Sequence, residues 1–189
     1  MRAVLFHGTG KLEVVDRPSR ALGADEVRLR VERAGICGSD IATWKGDWPS
    51  PNVPSVKGHE VCGSVLEVGA AVQGLQSGQL VAVRPIRGCG DCRHCQRGNY
   101  SRCSQFMMYG QQEPGGWAEE MIVRHDHARP LAASVTADQG LFAEPVAKTR
   151  VAPRANATWI AIRPRTPAPR MATDAPFSEP ARLLSLIHI

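Results

Sequence analysis

The sequence predicts a mainly β, barrel-like domain with few short helices and a metal-stapled loop, carried by residues 1–148 of a 189-residue chain. Three observations predict it. Short segments alternate apolar and polar residues with period two, the mark of strands with one buried face. Turns containing glycine or proline separate them at short intervals, as in sandwiches and barrels. All six cysteines also lie in this part of the chain, four of them within one polar loop.

The elements follow in order. Residues 3–6 and 12–15 are the first two strand candidates, and residues 26–32 alternate cleanly, with Val27, Leu29 and Val31 on one face. Val61–Val68 comes next, then 79–83 after a Ser-Gly turn, then 117–123. Helical signals are scarce. Thr136 is placed to cap a helix running towards Phe142 and Ala143, and Pro145 is expected to limit it.

Composition narrows the class. With 43% hydrophobic and 22% charged residues, this is an ordinary globular sequence. It contains no apolar run near the roughly 18 residues a membrane span needs, and its first residues do not read as a signal peptide. A cytoplasmic protein with no membrane partner is the expectation. The net charge of +5 is uneven: up to Thr149 there are 17 Lys and Arg against 16 Asp and Glu, whereas the remainder holds six Arg against one Asp and one Glu. Glycine stops at the same boundary, and six of the 14 prolines lie beyond it. Residues 149–189 are therefore set apart as an Arg/Pro/Ala-rich tail. That composition predicts either disorder or translation of a GC-rich gene out of frame.

The four clustered cysteines run Cys89-x2-Cys92-x2-Cys95-x7-Cys103. Two-residue spacings let thiolates converge on one ion, glycines permit the tight turns, and Arg93, Arg97 and Arg102 offset the negative charge. Disulfides fit poorly with a cytoplasmic chain. An iron–sulfur cluster is the rival, but the x7 gap and the lack of Pro after Cys103 depart from the ferredoxin run. The reading is a closed structural zinc site, with His94 surplus to it. Four thiolates leave no open position, so the chemistry must lie elsewhere.

Cys37, in Gly35-Ile36-Cys37-Gly38-Ser39-Asp40, directly follows a predicted strand, and Gly58-His59-Glu60 directly precedes another. Cys, His and carboxylate are the donors of a catalytic zinc that keeps one place for water or substrate. Each also has a bland reading, Cys37 as core and His59-Glu60 as surface. Trp44 and Trp48 either line a substrate pocket or pack at the rim. Cys62 reads as a small buried hydrophobe, and His125 and His127 as surface residues at a strand end.

Taken in order, Gly35–Asp40, Gly58-His59-Glu60, the four-cysteine loop, Gly115-Gly116-Trp117-Ala118-Glu119 and Glu144-Pro145 resemble the N-terminal catalytic domain of the zinc-dependent medium-chain alcohol and polyol dehydrogenases. The resemblance covers about residues 1–148 and implies a GroES-like barrel. It implies that Cys37 and His59 ligate the catalytic zinc, with Glu60 a ligand or exchangeable neighbour. It places Glu144 in or beside the metal shell, as in the sorbitol and threonine dehydrogenase branch. Ser39 would then pass a proton towards solvent, and Asp40 would orient His59; without the resemblance they read as a turn hydroxyl and a cap. The substrate implied is a small alcohol or polyol, and the hydride acceptor NAD(P).

Family members continue into a Rossmann domain with a Gly-x-Gly-x-x-Gly turn. These 189 residues contain no such turn. The expectation is a truncated, inactive dehydrogenase domain whose intact parent binds NAD(P). The alternative is a stand-alone zinc-binding module whose basic tail meets an anionic partner. Nucleic acid is not favoured, because the tail has little aromatic interleaving and no recognisable nucleic-acid fold.

Overall fold

Strand β1 (Arg2–Gly8) turns through Gly8 and Gly10, both at positive φ, into β2 (Lys11–Asp16), and the two pair antiparallel from Arg2↔Asp16 to Gly8↔Lys11. β3 (Glu26–Ala34) buries Val27 and Leu29, as period two requires. α1 (Gly38–Lys45) follows at once and ends at Gly46 in the left-handed conformation. β4 (Ser55–Val56), β5 (Val61–Val68), β6 (Leu80–Val83) and β7 (Ile86–Arg87) come next. The cysteine loop contains the single turn α2 (Arg93–Gln96) and a 3-10 turn at Tyr100–Arg102. β8 (Met107–Met108), β9 (Glu120–Arg124), β10 (Ala128–Pro130), α3 (Ala137–Leu141) and α4 (Ala143–Val151) complete the order.

This computed structural model describes residues 1–151, with side chains to residue 147. The tail from residue 152, with its predicted disorder or frame change, lies outside the described residues. Three sheets form, in the orders β2-β1-β4, β10-β6-β5-β3-β9 and β7-β8. The five-stranded sheet is antiparallel and carries the main core, Val27, Leu29, Val61, Val65, Val81, Val83, Tyr109, Met121 and Val123. A second cluster, Ala3, Val4, Val56, Trp117 and Ala118, sits between β1, β4 and the chain entering β9. No helix among the described residues is long and apolar enough to cross a membrane.

The six predicted strands all form, with ends shifted by a few residues; that at 117–123 starts only at Glu120, Ala118 making an isolated bridge to Ala3. Thr136 caps α3 as read: its Oγ1 accepts from the Gln139 amide, and the Gln139 side chain returns to the Thr136 amide. α3 ends at Leu141, before Pro145 as expected, but Pro145 itself opens a further helix rather than a loop. It stands in the first turn of α4, where a missing N–H costs nothing. His127 is not a surface residue; it is 1% exposed, held by the Arg84 backbone on β6's flank. Cys62 is fully buried, as expected of a small hydrophobe, and burial pushes its thiol up to about 11.

Candidate functional site

Cys37 is the N-cap residue of α1, so its sulfur stands where the helix dipole favours negative charge. The His59 imidazole beside it holds the thiol below its usual range. Asp40, three residues on, turns back: its Oδ2 accepts the Cys37 amide at 2.9 Å, closing the helix N-terminus. Its Oδ1 lies 3.8 Å from Nδ1 of His59, and both side chains are 1% exposed. One oxygen of the carboxylate thus forms the cap, and the other faces the His59 ring.

His59 arrives from the other side of the sequence. The stretch from Val56 to Gly58 is held by three backbone bonds, Gly115 N to Val56 O, Gly116 N to Gly58 O and Trp117 N to Lys57 O, each at 2.9 Å. Glycine is needed at 115 because a Cβ there would lie 2.5 Å from the Lys57 carbonyl oxygen. Gly58 has φ +90° and the Trp117 indole packs against it, while the indole N–H donates to the Gly35 carbonyl at 3.0 Å. Gly35 N in turn donates to Glu60 O at 2.8 Å. The Gly-Gly-Trp segment is therefore the brace that sets Gly35-Ile36-Cys37 beside Gly58-His59-Glu60.

The consequence is a three-donor cluster. Sγ of Cys37, a ring nitrogen of His59 and a carboxylate oxygen of Glu60 lie within 4.8 Å of one another. One soft, one borderline and one hard donor converging at that spacing fit a zinc ion with an open position. Glu144, on α4 and 9% exposed, stands outside this set and lines an apolar groove of about 650 Å³ with Val83, Ile86 and Leu131. Trp48 is 58% exposed. Lys57, which the sequence reading passed over, is 2% exposed; its place directly before Gly58-His59 does not by itself mark burial.

The second cluster joins Cys89, Cys92, Cys95 and Cys103, again with all four sulfurs within 4.8 Å. Cys92 Sγ is 3.5 Å from Cys95 Sγ, and all six cysteines of the chain are free of disulfides. Backbone amides point at the sulfurs: Cys89 N and Gln105 N at Cys103, and Cys92 N at Cys89, at 3.3 to 3.4 Å. Such donors stabilise thiolates, and the Cys95 amide leads in drawing Cys92 down to about 7. Four sulfurs fit a closed tetrahedral site. His94 is outside it.

Residues 23–133 match the alcohol dehydrogenase GroES-like domain. The chain belongs to that family. It is 35% identical over 144 residues to the sorbitol dehydrogenase of Halalkalibacterium halodurans and 33% over 123 residues to the galactitol 1-phosphate 5-dehydrogenase of Escherichia coli. Those alignments cover 76% and 65% of this chain but 42% and 35% of the relatives. Among solved structures, galactitol-1-phosphate dehydrogenase from E. coli superposes with a TM-score of 0.73 at 30% identity, covering 77% of this chain and 42% of that one. The 2R,3R-butanediol dehydrogenase of Bacillus subtilis gives 0.68 at 28%, covering 76% and 44%. The chain thus spans less than half the length of these relatives. The mainly β, GroES-like fold expected from the motifs is the fold found.

Proposed function

We propose that the chain is the zinc-holding catalytic domain of a dehydrogenase that oxidises a secondary alcohol of a polyol. The observation that carries the reading is the convergence of Cys37, His59 and Glu60 within 4.8 Å, from segments 22 residues apart in sequence. Zinc bound there supplies Lewis-acid polarisation of the substrate hydroxyl, drawing its pKa towards neutrality so that hydride can leave to a nicotinamide.

The protein's own residues do the rest. Cys37 and His59 hold the ion, and Glu60 completes or exchanges within the set. Asp40 keeps the His59 ring oriented through Nδ1, leaving Nε2 for the metal. Ser39, in the first turn of α1 beside Cys37, carries the hydroxyl proton towards solvent. The relatives named for sorbitol and galactitol phosphate support a polyol as substrate. Cys89, Cys92, Cys95 and Cys103 hold a second zinc that fastens a loop and takes no part in turnover. With no Gly-x-Gly-x-x-Gly turn in its 189 residues, the chain alone is expected to show no saturable NADH binding.

The test is metal content. The purified chain should contain two zinc ions, and Cys37→Ala or His59→Ala should contain one, with the four-cysteine ion retained. A single ion in the unsubstituted chain, lost only on substituting Cys95, would refute the open centre.

A further inference from the structure

Trp117 is 2% exposed, and its main chain is tied on both sides: its amide donates to the Lys57 carbonyl at 2.9 Å, and its carbonyl accepts the Val4 amide at 2.8 Å. The ring therefore leaves a backbone fixed both to β1 and to the stretch before His59. Packing with Ala3, Val4, Val56 and Ala118 accounts for an aromatic ring at this place. It does not account for the direction in which the ring's one polar edge is turned.

That pyrrole edge faces two glycines. Nε1–H donates to the Gly35 carbonyl at 3.0 Å, across 82 positions of sequence. A Cβ on Gly58 would collide with Cδ1 of the same edge and lie 2.6 Å from Nε1. Gly35 stands two residues before Cys37, and Gly58 one residue before His59. Gly35 also donates its amide to Glu60 O at 2.8 Å, and a Cβ on it would meet the Glu60 carboxylate. One flat edge thus touches the backbone next to Cys37 and the backbone next to His59, and reaches Glu60 through Gly35. A phenylalanine would fill the same core volume but could not hold the Gly35 carbonyl.

We infer that Trp117 is a positioning residue of the open centre: its indole N–H, through the Gly35 carbonyl, fixes the spacing of Cys37 from His59 and so raises the affinity of the three donors for a divalent cation. The inference rests on the reading of Cys37, His59 and Glu60 as a metal centre. Donors held at their spacing before the ion arrives lose less freedom on binding it. A merely structural tryptophan contributes to stability alone, whereas a positioning one contributes to metal affinity beyond its share of stability.

The experiment is cobalt(II) titration of the full chain as wild type, Trp117→Phe and Val123→Ala. Intense thiolate-to-cobalt absorption reports the four-cysteine loop; the weaker single-thiolate bands, identified by their loss in Cys37→Ser, report the open centre. Trp117→Phe should bind cobalt at the open centre about three- to tenfold more weakly, with its bands shifted and the loop unchanged. Val123→Ala truncates the main core where β9 pairs with the end of β3 away from Cys37. It should melt at least as far below wild type as Trp117→Phe yet keep wild-type affinity and bands. Wild type itself gives a second reading, independent of how the variants fold. Filling the open centre should slow exchange of the Trp117 indole N–H more than that of the β9 amides. Affinity within about twofold of wild type with unshifted bands in Trp117→Phe, an equal loss in Val123→Ala, or equal slowing of the indole and β9 amides overturns this inference alone. If wild type loads cobalt only at the four-cysteine loop, the proposed function falls with it.

Discussion

Asp40 shows how one side chain can be both structural and functional. Its two oxygens face different partners, the Cys37 amide that opens α1 and the His59 ring that opens the path to β5. Loss of the carboxylate removes a helix cap worth about 1 kcal/mol and, on the proposed function, the group that orients a zinc-holding imidazole. Asp40→Ala is accordingly expected to lower zinc affinity at the open centre about 10- to 100-fold, with the four-cysteine site unaffected; chelator competition on the purified variant measures it. Asp40→Asn, which keeps an oxygen for the cap, should recover stability but not affinity. Cys37 and His59 were legible in sequence because glycines and adjacent strand patterns marked them, whereas a role for Asp40 beside His59 was implied only by the family resemblance. Lys57 was not legible, since a lone lysine reads as surface until the chain around it is folded.

At the scale of elements, α1 forms where the residue pattern gives little warning. α1 has no continuous apolar face, and Ile41 is 38% exposed; what starts it is the Cys37–Asp40 cap and what stops it is Gly46. The cysteine loop is the opposite case, legible from spacing and nearly independent of core packing. It joins the remainder through the two-residue strands β7 and β8, paired Ile86↔Met108 and Arg87↔Met107, and through Arg84 stacked 5.1 Å over the Tyr100 ring. So short an attachment makes the loop a local unit. Chelation should raise hydrogen exchange across residues 88–105 by orders of magnitude while β3 and β5, central in the five-stranded sheet, keep their protection; uniform loss of protection would show instead that the loop supports the whole domain.

Over the whole molecule, His127 is where the chain leaving β6 meets the Tyr109 segment of the main core. Its Nδ1 is 2.7 Å from the Arg84 carbonyl oxygen, and its ring meets that of Tyr109 edge-on at 5.7 Å. Burial leads in lowering its pKa and the Arg84 charge adds to this, although Asp126, 3.8 Å away, works the other way. The unfolded chain therefore binds a proton at His127 more readily than the folded one. Stability from this residue is complete above the unfolded value of about 6.5 and declines as pH falls below it towards the lower folded value. The melting temperature should drop between pH 7.5 and pH 5.5, and His127→Gln, which keeps an amide for the Arg84 contacts, should show a smaller drop. An equal drop in both proteins would assign the acid sensitivity to other groups.

The sequence by itself determined the β class, the positions of six strands, the Thr136 cap, the four-cysteine cluster and Cys37 and His59 as candidate donors. These depend on periodicity, on spacing within a few residues, or on donor type, all of which are local. Only the tertiary structure decided that β5 lies between β3 and β6, that Asp40 caps α1 with one oxygen and faces His59 with the other, that Glu144 stands outside the three-donor cluster, and that His127 and Lys57 are buried. Each of those depends on which distant segments share an interior. Burial changes the energy of a charge by far more than any neighbour in sequence can, so the fate of the charged residues is settled by packing.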